Sequence, residues 1–291
     1  MRSQWHKHFA IAVAILLALL VGAPLAQALG TVDLDELVFF SNRRVFGLTS
    51  DQRLVRFRLI FPQLEQDIGA VSGLQYPDAF LVGIDFRVQD GQLYGVGNGG
   101  GVYTIDTANA QASLVNRLTV ALDGTFFGVD FNPAADRLRI VSDTGQNLSH
   151  NVNAGGTTTA QGTLTYTPPP AAPVAALGIT AAAYTNNDLS TNTATTLFDI
   201  DTTLDQVTIQ SPPGNGILVA TGKLGVDAAP QAGFDIASRL INGVTVLNGG
   251  FAALVVNSTY GFYHINTSTG QATLINNFKV PVVDIAVALS Q

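Results

Sequence analysis

The chain has 291 residues, 47% hydrophobic and only 12% charged, with a net charge of −7 and no cysteine. That length can bury a sizeable core, and so little charge excludes a coiled coil or a charged disordered tail. The acidic balance argues against a nucleic-acid binder, and the missing cysteines exclude disulfides, thiolate zinc sites, iron–sulfur clusters and cysteine nucleophiles.

Residues 1–28 have the three-part build of a secretory signal peptide. Arg2 and Lys7 form a positive start, Phe9 to Val21 an apolar run, and Ala26-Gln27-Ala28 a small-x-small cleavage site. Thirteen helical residues reach about 20 Å, short of the roughly 30 Å hydrocarbon core of a bilayer. The expectation is cleavage between Ala28 and Leu29, release to the periplasm or the medium, and no membrane span afterwards. The remaining chain carries twelve Lys and Arg against twenty-one Asp and Glu, a net charge of −9, and keeps two histidines, His150 and His264.

From there the chain repeats. Gly83-Ile-Asp-Phe86 returns as Gly128-Val-Asp-Phe131, Gly233-Phe-Asp-Ile236 and Val282-Val-Asp-Ile285. The phrase Val102-Tyr-Thr-Ile-Asp-Thr107 returns as Phe262-Tyr-His-Ile-Asn-Thr267, and Leu197-Phe-Asp-Ile-Asp-Thr202 reads as a variant of it. Asp85 and Asp130 are 45 residues apart, and Asp235 and Asp284 are 49 apart. Within each unit, alternating β-branched and aromatic residues predict strands, and turns such as Asn266-Thr-Ser-Thr-Gly270 predict hairpins. Four short strands per repeat of this length is the signature of a propeller blade.

The prediction is an all-β, single-domain, five-bladed β-propeller over 29–291. Its blades are placed at about 75–120, 121–175, 176–230 and 231–280. Residues 37–74, which lack an inner strand, share the fifth blade with 281–291, so that the C-terminal strand closes the ring and removes two open sheet edges.

The phrases Gly83-Ile-Asp-Phe-Arg87, Gly128 to Asn147, Ala183-Tyr-Thr-Asn186 and Thr196 to Asp201 resemble a bacterial exported family, domain of unknown function 4394. The resemblance spans nearly the whole chain after the signal peptide. It implies a propeller and export, and implies no activity. The chain departs from that pattern at Ser149-His-Asn-Val-Asn153 and at Pro212-Pro-Gly-Asn-Gly216.

Two sets of side chains are candidates for chemistry. The repeated Asp85, Asp130, Asp235 and Asp284 either ring a central channel as oxygen ligands for Ca²⁺ or Mg²⁺, or pin each blade to the next by accepting backbone N–H groups. Arg139, Asp143, Gln146 and Asn147, with Tyr184 and Asn186, are candidate ligand contacts at one channel mouth. Gly95-Val-Gly-Asn-Gly-Gly100 matches a dinucleotide fingerprint in letters alone, since it lies between strands instead of opening a helix. His150 is a candidate base, but no second histidine or nucleophile elbow accompanies it.

The reading is therefore a monomeric binding scaffold for a small ligand, glycan or protein, with no catalytic residue assigned and no cofactor required beyond a Ca²⁺ or Mg²⁺ candidate. The alternatives are a metal-dependent hydrolase or lactonase using the channel carboxylates, and a structural component of the envelope or matrix.

Overall fold

The computed structural model describes residues 39–166 and 172–290; the expected signal peptide, residues 1–28, lies outside them. In chain order the strands are β1 (Arg44–Thr49), β2 (Arg53–Arg58), β3 (Phe61–Ala70), β4 (Leu81–Phe86), β5 (Leu93–Gly97), β6 (Gly101–Ile105) and β7 (Ala112–Arg117). They continue as β8 (Phe127–Asn132), β9 (Arg137–Ser142), β10 (Asn147–His150), β11 (Thr158–Ala160), β12 (Thr165–Tyr166), β13 (Val174–Ala175), β14 (Ile179–Tyr184), β15 (Leu197–Asp201), β16 (Gln206–Gln210) and β17 (Ile217–Lys223). The last are β18 (Ala228–Ile241), β19 (Val244–Val256), β20 (Thr259–Ile265), β21 (Ala272–Asn277) and β22 (Val282–Val287).

These strands form five sheets, four of them four-stranded and antiparallel and one six-stranded with one parallel pair, and the molecule is a five-bladed β-propeller. The first blade runs β22-β1-β2-β3, the second β4 to β7, the third β8 to β11, the fourth β14 to β17 and the fifth β18 to β21. The innermost strands β22, β4, β8, β14 and β18 neighbour one another in that order around the axis, and β18 returns to β22. Ring closure pairs Val45 with Val287, Phe46 with Ala286 and Leu48 with Asp284. The C-terminal strand thus supplies the inner strand of the blade that β1, β2 and β3 begin.

Alternation along each inner strand decides what faces what. Ile84 and Phe86 pack with Leu48 and Leu54 of the first blade, while Val129 and Phe131 pack with Tyr94 and Val96 of the second. The aspartate between each pair then points the other way, toward the following blade. The glycines two residues before Asp130 and Asp235 let the inner strands close in. A Cβ on Gly128 would sit 2.6 Å from the backbone of Ala181 and Ala182, and one on Gly233 would sit 2.4 Å from the Cα of Asp284.

Two details differ from the sequence reading. Leu197–Asp201 is the second strand of its blade, whereas the phrases it resembles form third strands, β6 and β20. Period-two alternation reports a strand, and is silent on its rank within the blade. Thr165–Tyr166 and Val174–Ala175, grouped by the repeat arithmetic with the third blade, instead extend the fourth: β12 pairs in parallel with β17, and β13 pairs with β12. No helix among the described residues is long and apolar enough to cross a membrane.

Candidate functional site

Four of the five blade-to-blade seams are latched at the channel by a repeated aspartate. Asp284 accepts the N–H of Ile84 at 2.7 Å, and Asp85 that of Phe131 at 2.8 Å. Asp130 accepts the N–H of Tyr184 at 3.1 Å, and Asp235 that of Val287 at 2.5 Å. Each carboxylate satisfies a buried donor that its own sheet leaves unpaired.

The same side chains converge. One carboxylate oxygen from each of Asp85, Asp130 and Asp235 lies within 4.8 Å of the other two, and all three residues are buried. Burial and the neighbouring carboxylates push Asp85 and Asp130 well above the usual range, and burial brings Asp235 to about 6. Asp284 is not within that group of oxygens, but it interacts electrostatically with all three and is itself held well above the usual carboxylate range by burial; it also lines the mouth of the channel.

The fifth seam, between β14 and β18, has alanine where the aspartate would stand. Ala183 precedes Tyr184 as Asp130 precedes Phe131, and it packs in the apolar interface with Phe234 and Ile236. A loop at the far end of β14 joins this seam instead. Asn186 and Asn248 exchange hydrogen bonds of 3.0 and 2.7 Å, Asn187 donates to Ser238 and to the carbonyl of Ile236, and Asp188 accepts the N–H of Thr245 at 2.8 Å. The repeat pattern gives no hint of this substitute, because it occurs in a single blade.

A cavity of about 360 Å³ opens at the end of the channel where the inner strands begin. All five blades wall it: Leu48, Ser50, Gln52, Val283 and Asp284 from the first, Phe80 to Val82 from the second, Thr125 to Phe127 from the third, Thr180 from the fourth, and Pro230 to Ala232 from the fifth. Phe80 is 45% exposed on this rim. A larger groove of about 750 Å³ lies at the opposite end, between the first two blades, and contains none of the candidate residues.

The six candidate ligand contacts do not share the mouth. Asp143 and Gln146 stand behind it and shape it. Asp143 accepts the N–H groups of Thr125 and Phe126, while Gln146 bonds the N–H of Asp123 and the carbonyl of Ala121. Arg139, Asn147 and Tyr184 are buried together in the seam between the third and fourth blades, where the Arg139 guanidinium donates to the Tyr184 hydroxyl at 3.2 Å and to Asn147. Asn186 lies at the opposite end of β14, in the loop just described. Following an inner strand to its end leads away from the mouth, because the strand crosses the full height of the blade.

The remaining motifs resolve into structure. His150 is buried and held neutral, with its pKa lowered to about 4 by burial and by Arg137, and its ring bonds Thr158 and Asn116. His264 is buried against Phe251. The glycine-rich turn after Leu93-Tyr94 wraps a buried carboxylate: Asp78 accepts the N–H groups of Gly99 and Gly101 and pairs with Tyr103 and Arg117. Sequence reasoning missed Asp78, whose loop position carries no repeat.

The chain was also compared with known proteins. A structural-genomics protein of unknown function from Bacteroides thetaiotaomicron is similar at 12% identity and a TM-score of 0.47, over 86% of this chain and 64% of that one. A structure described under the de novo evolutionary emergence of a symmetrical protein gives 13% identity and a TM-score of 0.45, over 86% of this chain and all of that one. The glutaminyl cyclase of Myxococcus xanthus gives 13% identity and a TM-score of 0.37, over 72% and 71%. No curated protein matches. The sequence profile of the domain of unknown function DUF4394 matches residues 53–286. On that match, the chain belongs to the DUF4394 family.

Proposed function

We propose that the protein is an exported binding scaffold that takes a small polar ligand at the mouth of its channel. The observation that carries this reading is the cavity of about 360 Å³ to which every blade contributes a wall. Ligand sites favour concave, preformed surfaces where a few polar groups interrupt an apolar lining. Here Phe80, Phe126 and Pro230 offer apolar contact, while Gln231 and Thr125 offer hydrogen bonds, and Gln52 is fixed on the wall by bonds to the N–H and carbonyl of Leu81. Both described histidines are buried within blades, which supports binding over hydrolysis.

The test is a thermal-shift screen of soluble glycans and small polar compounds on the wild type and on Gln231→Trp, a variant that plugs the rim. At least one compound raises Tm in the wild type and loses its effect in the variant. A screen without hits, or hits indifferent to the plug, overturns the reading.

The convergence of Asp85, Asp130 and Asp235 supports a second reading, in which they hold Ca²⁺ or Mg²⁺ within the channel. A divalent ion there would neutralise the like charges and provide a Lewis acid below the mouth, as a hydrolase or lactonase would need. Calcium or magnesium then raises Tm at micromolar to millimolar concentration, and Asp130→Asn abolishes that response.

A further inference from the structure

The seam between the third and fourth blades is the poorest of the five in large apolar side chains. Its core is Val141, Leu164, Ala176, Ile179, Ala182, Tyr184, Leu197 and Leu218, with no phenylalanine among them. On the fourth blade, Asp199 and Thr208 are direct partners across β15 and β16, and Gln210 follows Thr208 by two residues on the same face. All three are buried, Asp199 with 0% exposure. Both carboxylate oxygens of Asp199, the hydroxyl of Thr208 and the amide oxygen of Gln210 have no hydrogen-bond partner. The amide nitrogen of Gln210 donates to the carbonyl of Pro213, which fixes the oxygen on the other side.

Four buried oxygens without a donor are costly unless something fills the gap. Burial pushes Asp199 up to about 8 in the absence of a bound cation; Arg139 of the third blade opposes this through its field but makes no ion pair with it. Its guanidinium is occupied by Tyr184, Asn147, the carbonyl of Leu148 and Gln161. Asp201, on the same face of β15, is likewise buried and is satisfied by Tyr166 and two backbone N–H groups. Asp199 supplies the one carboxylate among these four oxygens, so a single positive charge balances it, and a divalent ion would leave one charge uncompensated in the interior.

We propose that Asp199, Thr208 and Gln210 bind a small hard monovalent cation, of which sodium is the probe. The donor set is all oxygen, as such ions require, and the charge count selects a monovalent over a divalent ion. The bound ion fastens β15 to β16 and fills the seam where apolar packing is thinnest. This site is separate from the channel carboxylates and does not depend on the mouth binding anything.

The test compares Tm of the whole protein in sodium chloride and in choline chloride at equal ionic strength, so that screening of surface charge is the same in both. Sodium raises Tm by a few degrees, with a gain that grows with the logarithm of its concentration. Asp199→Asn and Thr208→Val each remove the sodium dependence, whereas Asp235→Asn in the channel retains it. If Asp199→Asn fails to fold, Thr208→Val carries the test, together with the ²³Na line broadening that the wild type causes and the variant does not. Equal Tm in the two salts, as water molecules alone in the seam would give, overturns the proposal. So does a sodium response that survives in Thr208→Val.

Discussion

The carboxylate of Asp85 accepts the backbone N–H of Phe131, one blade further round the ring, at 2.8 Å. Removing the acceptor strands that buried N–H. Asp85→Ala is therefore expected to lower stability by about 1–3 kcal/mol. Asp85→Asn keeps an acceptor oxygen and removes a carboxyl whose ionisation burial and its neighbours disfavour, so it is expected to be neutral or stabilising. Urea unfolding of the two variants checks the contrast, and an equal loss in both would show that charge, not the hydrogen bond, is what the position supplies.

Stability should fall as pH rises. Asp235 binds its proton up to about pH 6 when folded, against 3.8 for an ordinary carboxyl, and Asp85 and Asp130 are shifted in the same direction. Between the unfolded and folded values the native state holds the extra proton, so each such group costs about 1.4 kcal/mol per pH unit as pH increases through that window. His150 works the other way. Its pKa drops from 6.5 to about 4 on folding, so it contributes stability that is lost as pH falls through that range. Asp284 and Asp199 are raised as well, Asp199 to about 8, so five carboxyls outweigh one imidazole. In choline chloride without divalent ions, the urea midpoint is expected to be higher at pH 5 than at pH 8, with a flatter profile in Asp235→Asn. The opposite slope would mean that the trio is ionised and neutralised by something other than protons.

Gly128 lies against the backbone of Ala181 and Ala182, not against a side chain that can rotate away. Gly128→Val is expected to cost at least the roughly 1–3 kcal/mol of an overpacked core, measured as a drop in Tm. Gly91 has open space around its Cβ position but a φ of +69°, so Gly91→Asn serves as a mild control.

Asp188 takes over the latching role in the seam where Ala183 stands. Asp188→Ala is expected to destabilise by about 1–2 kcal/mol, and hydrogen exchange should quicken at Thr245 before it quickens in the inner strands. Uniform exchange across the fifth blade would show that this loop is not what holds the seam.

The sequence makes the ring and its four aspartates legible for one reason: symmetry repeats them. A residue that recurs once per unit must occupy the same place in each blade, so Asp85, Asp130, Asp235 and Asp284 could be grouped before any coordinates were known. Features confined to one blade lack that signal. Ala183 reads as a gap in the ring, while the Asn186 to Asp188 loop that compensates for it reads as an ordinary turn. Asp199 falls within a repeated phrase whose other copies carry Thr104 and His264, yet its strand sits one place nearer the axis. Arg139, Asp143 and Asn147 are close in sequence because they flank one hairpin, but the sheet sends Arg139 and Asn147 into a seam and leaves Asp143 behind the mouth.

The pairing of Val45 with Val287 has a kinetic consequence. Four blades are assembled from neighbouring hairpins, but the first waits for a segment more than two hundred residues downstream. Loop closure over that distance is slow compared with hairpin formation, so the final seal should be the late event in refolding. Until it forms, β1 and β4 each expose a flank, and an intermediate in that condition is the species most prone to pair with a second molecule.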